Sequence, residues 1–182
     1  MTKFKDEFVW GTAASSYQME GGAMDQGRGD SVWDMFCRQP GLVRDGSSGM
    51  VACDHLNRYQ DDVKMMADLG IQAYRLSVAW PRIFPHGTGT VNQQGLDFYD
   101  RLIDSLLAAN IDPWITLFHW DFPTALYDQG GWLNRDSADW FADYAQLITE
   151  KFSDRVKNWF TLNEPQCFLG LGHQTADHAP GL

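Results

Sequence analysis

Short runs in which apolar and polar residues alternate recur along the chain, and longer amphipathic runs lie between them. Alternation at every second residue predicts four strands, over residues 8–13, 71–78, 111–118 and 156–162. The last three begin roughly 40 to 45 residues apart, which leaves room for one helix and one loop between consecutive strands. Such connections join parallel strands. The pattern therefore predicts an α/β fold built from βαβ units.

Three amphipathic helices are predicted between these strands, and the first of them follows Asp54 as its cap and ends at Gly70. Each has an apolar stripe at helical spacing, which predicts one face packed on the sheet. In chain order the stripes are Leu56, Tyr59, Val63, Met66 and Leu69; Leu96, Tyr99, Leu102, Ile103, Leu106 and Leu107; and Phe141, Tyr144, Ala145, Ile148 and Phe152. Four tryptophans in or against the strands are expected in the core: Trp10, Trp80, Trp114 and Trp159.

Composition and charge narrow the function classes. With 182 residues, 44% of them hydrophobic and 21% charged, the chain is typical of one soluble globular domain. A formal net charge of -10 disfavours nucleic acid and anionic lipid as partners. No apolar run of signal-peptide or anchor type follows Lys3 and Lys5, so a cytoplasmic location is expected. The cysteines Cys37, Cys53 and Cys167 lack paired spacing, which predicts buried free thiols.

Asn163, Glu164 and Pro165 come directly after the fourth strand, where the proline cannot continue a strand ladder. A carboxylic acid at a strand end, beside a neutral hydrogen-bonding side chain and among tryptophans, suits proton donation to the leaving group of a polar neutral substrate. The competing interpretation is that Glu164 only begins a loop and faces water. Sugar chemistry is therefore a hypothesis that the rest of the chain must support.

Other unusual side chains follow the first and third strands: Gln18 after the first, and His119 and Trp120 after the third. Functional residues of parallel α/β folds collect at the carboxyl ends of the strands. No glycine-rich phosphate turn follows the first strand, which favours a (β/α) barrel over a doubly wound sheet. His119 and its neighbour Asp121 are too few ligands for a metal. We therefore predict neither a metal nor a cofactor.

Several separated motifs make the chain similar, from end to end, to the amino-terminal portion of glycoside hydrolase family 1, and within it to bacterial β-glucosidases. Their order and spacing carry the resemblance more than any single motif does. The motifs are FVWGTA (residues 8–13), SYQMEG (16–21), DH (54–55), YRLS (74–77), WPRI (80–83), HWD (119–121), GGW (130–132) and TLNEP (161–165).

The resemblance implies a (β/α)8 TIM barrel, of which only strands 1 to 4 are present in this chain. It implies retaining hydrolysis of terminal non-reducing β-D-glucosyl residues, with a β-glucoside or cello-oligosaccharide as the substrate. Glu164 is implied as the general acid/base, and Gln18, His119, Trp120 and Asn163 as ligands of the sugar. The residue types fit, because an amide, an imidazole and an indole supply the donors, acceptors and apolar face that a pyranose needs.

Two further charged residues have open roles. Arg75 lies within the second strand and faces the presumed barrel interior, where an unpaired guanidinium is costly, so a carboxylate partner is expected. The resemblance implies that Arg75 supports the nucleophile, and a purely structural ion pair is the alternative. Glu20 could brace Gln18 or open a short helix, where a carboxylate is favoured by the helix dipole.

One catalytic component of the implied mechanism is missing from the sequence. A retaining enzyme needs a second carboxylate as nucleophile; in the family it stands in a Glu-Asn-Gly setting, which does not occur in these 182 residues. We therefore expect residues 1–182 to be the amino-terminal part of a single TIM-barrel catalytic domain, with no separate second domain, inactive without its carboxyl-terminal half. The residues after Glu164 are expected to form a loop. The alternatives are a non-catalytic sugar-binding fragment and a self-associating half barrel.

Overall fold

The computed structural model describes residues 3–182, and its centre is one sheet of four parallel strands. The strands lie side by side in chain order: β1 (Gly11–Ala13), β2 (Ala73–Ser77), β3 (Asp112–Phe118) and β4 (Asn158–Leu162). In register, Ala13 lies beside Arg75, Ser77 beside Thr116 and Phe118 beside Leu162. Because all strands run in the same direction, their carboxyl ends meet at one edge of the sheet.

Within residues 3–182, eight helices connect or follow these strands. They are α1 (Ser16–Met19), α2 (Val32–Arg38), α3 (His55–Asp68), α4 (Trp80–Ile83), α5 (Gln93–Ala108), α6 (Thr124–Tyr127), α7 (Ser137–Phe152) and α8 (Pro165–His173), with a 3₁₀ turn at Gly131–Leu133. The predicted helices correspond to α3, α5 and α7, whose apolar stripes enter the core. At its centre the rings of Trp80 and Tyr144 stack with centroids 4.8 Å apart, and both residues are fully buried.

Strands two to four and the three predicted helices are confirmed, but three predictions about residues at the edges of these elements are wrong. Leu107, near the end of α5, is 36% exposed. Trp10 is 51% exposed, because it precedes β1 and packs on Phe4 and Phe8 outside the core. Leu69 is 73% exposed, because α3 ends one residue earlier and the chain turns away at Gly70. Asp54 does occupy the position before α3, yet its carboxylate accepts from the side chain of Asn57 and not from the helix backbone.

The segment after β4 also differs from its prediction. Helix α8 begins at Pro165, directly after Glu164, where a loop was expected. Proline fits the first position of a helix, because the amide hydrogen that it lacks has no partner there. The expectation of buried thiols is wrong for Cys53, which is exposed, and only partly right for Cys37 and Cys167, which are half-buried. Among residues 3–182, no helix combines the length and apolar character that crossing a bilayer requires.

Candidate active site at the carboxyl ends of the strands

The structure brings together the side chains that the sequence places after separate strands. Asn163 and Glu164 follow β4, His119 and Trp120 follow β3, and Gln18 lies in α1, the short helix after β1. The backbone amide of Asn163 donates to the carbonyl of Phe118, 2.9 Å away, so the β3 and β4 ends are bonded beyond the regular ladder. The predicted clustering at this edge of the sheet follows from the parallel topology.

Asn163 is the hub of this cluster. Its side-chain oxygen accepts a hydrogen bond from Nη2 of Arg75 at 2.7 Å, and its Nδ2 lies 3.1 Å from Nε2 of His119. A guanidinium only donates, so the atom facing Arg75 must be the amide oxygen. The amide nitrogen therefore points into the site, toward His119 and toward Oε2 of Glu164 at 3.5 Å.

His119 is a neutral hydrogen-bonding group. Burial, together with the positive charge of Arg75, lowers the pKa of His119 to about 4. Because Nδ2 of Asn163 carries hydrogens, Nε2 of His119 accepts from it and the ring proton sits on Nδ1. At neutral pH the acceptor nitrogen of this ring is used by Asn163, and Nδ1–H is the donor left for the oxygen of a sugar hydroxyl.

Trp120 is held in an unusual backbone conformation and uses its indole N–H within the protein. Its φ of 78° lies in the left-handed region, which L residues other than glycine rarely adopt. The N–H donates to the backbone carbonyl of Asn163 at 2.9 Å. This N–H, which the resemblance implies as a donor to the sugar, is therefore already bonded to Asn163, and Trp120 lines the neighbouring cavity with its ring.

Arg75 has no carboxylate partner among residues 3–182, so the expected ion pair is not formed in the described part of the chain. Its Nε donates to the hydroxyl of Thr116 at 2.9 Å, and its Nη2 donates to Asn163. The guanidinium also lies over the ring of Phe160, 4.7 Å from its centroid. Because Arg75 is only partly buried, two neutral acceptors and an aromatic face satisfy it without a second charge.

Gln18, His119 and Trp120 line one cavity of about 420 Å³, a size typical of small-molecule pockets. Gln18 is exposed, and its side-chain oxygen accepts from the hydroxyl of Ser15 at 2.7 Å, which leaves its amide nitrogen as the donor. Trp33, on α2, also lines this cavity. Trp33 is not among the predicted site residues, because a tryptophan in a short capped helix is typical of the core.

Glu164 lies beside this cavity and not in its lining. The residue is exposed and has a φ of 43°, which turns the chain sharply from β4 into α8. Burial and the nearby Glu164 carboxylate together raise the pKa of the Cys167 thiol. The arrangement places an accessible carboxyl group next to the fixed amide of Asn163, as proton transfer to a bound neutral ligand requires.

Glu20 does not open a helix, and it supports Gln18 only indirectly, through the end of α1. It closes α1 instead of opening it, and its buried carboxylate accepts from Nε of Arg82 at 2.9 Å and from the hydroxyl of Tyr99. Asp121 is fully buried as well, and it accepts from Ser16 on α1. Both carboxyl groups thus accept hydrogen bonds inside the protein. Sequence reasoning considered Glu20 as a brace of Gln18, but it did not identify Asp121 as a support of the site.

Comparison with known proteins identifies the family to which the chain belongs. The glycosyl hydrolase family 1 model matches residues 1–182. The 1,4-beta-D-glucan glucohydrolase of Thermotoga neapolitana is 53% identical over 182 residues, which are 100% of this chain and 43% of that protein. Beta-glucosidase A of Thermotoga maritima is 53% identical over 180 residues, covering 99% of this chain and 40% of that protein.

Solved structures agree with these relatives. The beta-glucosidase from Thermotoga maritima in complex with castanospermine has a TM-score of 0.98 and 52% identity, over 100% of this chain and 41% of that one. The same enzyme in complex with deoxynojirimycin gives the same TM-score of 0.98. The chain thus spans about two fifths of the length of its relatives. The fold is that of the TIM-barrel family, with strands 1 to 4 in this chain, and the chain belongs to glycosyl hydrolase family 1.

Proposed function

We propose that residues 1–182 are the amino-terminal part of a single TIM-barrel catalytic domain of a β-glucosidase, which hydrolyses terminal non-reducing β-D-glucosyl residues with retention. One observation carries the proposal: the hydrogen-bonded series Arg75, Asn163, His119 stands beside the exposed carboxyl group of Glu164. Fixed neutral donors and acceptors next to a carboxylic acid suit a substrate that is polar but uncharged.

Each residue then has a distinct role. Glu164 protonates the glycosidic oxygen as its bond to the anomeric carbon breaks, and later takes a proton from the attacking water. Asn163 donates to the 2-hydroxyl, an interaction that strengthens as the oxocarbenium-like transition state forms. Gln18 and His119 bind further hydroxyls, and the ring of Trp120 contacts the sugar from the cavity wall.

The substrate class rests on the relatives. The two Thermotoga proteins are named a glucan glucohydrolase and a beta-glucosidase, and the beta-glucosidase from Thermotoga maritima forms complexes with castanospermine and deoxynojirimycin. These names support a β-glucoside or cello-oligosaccharide as the substrate. The cavity beside Gln18 supports the same class, because its walls combine aromatic rings with polar side chains.

Retaining hydrolysis also needs a nucleophilic carboxylate, about 5–5.5 Å from the acid/base. We assign it to the carboxyl-terminal half of the same enzyme, in a Glu-Asn-Gly setting, so that this half is the partner that the chain needs for activity. The guanidinium of Arg75, from the middle of β2, reaches Asn163 next to Glu164, and we assign to it the support of the nucleophile. The cytoplasmic location stays a prediction.

The test compares this chain alone with the chain produced together with a carboxyl-terminal polypeptide of the same enzyme. We expect hydrolysis only from the pair. Within the pair, Glu164→Gln should lower the rate on alkyl glucosides by about 10²- to 10⁴-fold, and less on aryl glucosides, whose leaving groups need no proton. Glu150→Gln, on an exposed face of α7, is the matched control and should leave both rates unchanged. An unchanged rate of the Glu164 variant on alkyl glucosides contradicts the assignment.

A second candidate function is sugar binding without catalysis, and the formed cavity beside Gln18 favours it. Deoxynojirimycin added to the chain alone should then change tryptophan fluorescence, because Trp120 and Trp33 line that cavity. Trp120→Phe should reduce the change, whereas Trp10→Phe, before β1, should not affect it. Native mass spectrometry of the same sample reports self-association, which is the remaining alternative.

A further inference from the structure

Asp121 is a buried carboxylic acid that the proposed mechanism does not use. It follows His119 and Trp120 directly and is fully inaccessible to solvent. Its Oδ2 accepts a hydrogen bond of 2.6 Å from the hydroxyl of Ser16, the first residue of α1. Ser16 is two residues from Gln18, so this one bond joins two segments that both line the cavity.

The bond belongs to a longer series that starts at the end of β2. The backbone amide of Ser16 donates to the hydroxyl of Ser77 at 2.7 Å, and the hydroxyl of Ser77 donates back to that of Ser16 at 3.0 Å. The hydroxyl of Ser16 is thus left to donate to Asp121. Each hydroxyl accepts one bond and donates one, so the series has a single direction and a defined geometry.

The same region holds Trp120 in its left-handed conformation. A bond of 3.0 Å from the amide of Phe122 to the carbonyl of Trp120 closes a tight turn around Asp121. A non-glycine residue in such a conformation persists only where its surroundings hold it. Asp121 lies inside that turn, and the contact with Ser16 connects the turn to α1.

A purely structural role explains this acid poorly. Its other oxygen, Oδ1, is buried without a hydrogen-bond partner among the described residues, and an unsatisfied buried acid lowers stability relative to an apolar residue of similar size. Asp121 does, however, accept from a specific hydroxyl on the helix that carries Gln18, which an apolar residue cannot do.

We propose that Asp121 is a positioning residue, which through Ser16 and Ser77 sets the distance across the cavity between Gln18 and the His119–Trp120 turn. The affinity that depends on this distance is that for a single pyranose, whose hydroxyls are bound by Gln18 and His119. The inference rests on the proposed function for its ligand. It goes beyond that function by assigning a role to three residues that touch no sugar.

The experiment uses the whole chain and deoxynojirimycin as the probe, with three variants and a control. Asp121→Leu removes the acceptor at similar volume, Ser16→Ala removes the donor, and Asp121→Asn keeps an acceptor for Ser16. Ser137→Ala, a buried serine at the start of α7, is the control. The readouts are the dissociation constant, the thermal midpoint, and the ¹⁵N–¹H signals of the Gln18 amide and the Trp120 indole.

We expect Asp121→Leu and Ser16→Ala to weaken binding by about tenfold, the effect of one lost hydrogen bond, and to shift the Gln18 and Trp120 signals. Asp121→Asn should restore affinity and both signals, and Ser137→Ala should leave them unchanged. The inference is overturned if the Leu and Ala variants change only the thermal midpoint. If the unmodified chain does not bind deoxynojirimycin, the proposed binding of a sugar by this chain is contradicted. The Gln18 and Trp120 signals of the variants, compared with those of the unmodified chain, still test whether Asp121 positions the two segments.

Discussion

The guanidinium of Arg75 donates a hydrogen bond of 2.7 Å to the side-chain oxygen of Asn163, from a position 88 residues earlier in the chain. This bond determines which way the amide of Asn163 points, because a guanidinium cannot accept. The amide nitrogen is consequently directed at His119 and Glu164, where the proposed function places the 2-hydroxyl of a sugar. The orientation is set before any ligand binds.

Replacing Asn163 by aspartate tests that orientation. The carboxylate keeps the bond to Arg75 as an ion pair, so stability should change little, but it has no hydrogen to donate toward a sugar and places a negative charge next to Glu164. We expect the affinity for deoxynojirimycin to fall by about tenfold or more. Fluorescence titration measures the affinity and thermal unfolding measures the stability. Asn110→Asp, at an exposed turn before β3, is the control; equal affinity of both variants contradicts the assigned donor.

The lowered pKa of His119 predicts how stability depends on pH. An unfolded histidine has a pKa of about 6.5, whereas burial and Arg75 lower that of folded His119 to about 4. Between these values the unfolded chain binds the proton more readily. The stability that neutral His119 contributes is therefore complete above about pH 6.5 and is lost as the pH falls toward 4.

Urea unfolding of the chain and of His119→Gln, from pH 4.5 to 7.5, isolates this contribution. The difference between the two free energies of unfolding should shrink or reverse as the pH falls through the window. The control is His86→Gln, on an exposed loop; its free energy of unfolding should vary with pH in the same way as that of the unmodified chain. A pH-independent difference for the His119 variant would show that the ring is not held neutral by its surroundings.

The sequence alone predicted strands two to four, the main helices and the clustering of Gln18 with His119, because periodicity and parallel topology determine where strand ends meet. It failed where a contact depends on three-dimensional packing. The acceptors of Arg75 are two neutral groups, Thr116 on β3 and Asn163 directly after β4, and no local sequence pattern indicates that they would replace a carboxylate. Ser16 and Asp121 are 105 residues apart, so neither spacing nor composition indicates their hydrogen bond.

Asp121 predicts a pH dependence of the opposite sign. Burial raises the pKa of Asp121 to about 7, whereas an unfolded aspartate has a pKa of about 3.9. The stability contributed by the protonated acid is complete below about pH 4 and is lost as the pH rises toward 7, by an amount on the order of 4 kcal/mol. Relative to Asp121→Asn, the unmodified chain should lose stability across this window in urea unfolding. The control is Asp128→Asn, which removes an exposed carboxylate; its free energy of unfolding should depend on pH as that of the unmodified chain does.

The buried pair of Arg82 and Glu20 supports the site from below, because Glu20 closes α1, the helix that carries Gln18. Arg82→Met leaves Glu20 charged and buried with only the hydroxyl of Tyr99 as a side-chain donor, so the free energy of unfolding should fall by about 3 to 5 kcal/mol. The double variant with Glu20→Gln still lacks Arg82 but no longer has the uncompensated charge. It should therefore recover much of the lost free energy of unfolding. Denaturant unfolding of the two single variants and the double variant gives the coupling energy directly. Additive losses would mean that Arg82 stabilises the fold through its packing against Phe98, 5.8 Å from that ring's centroid, and not through its charge.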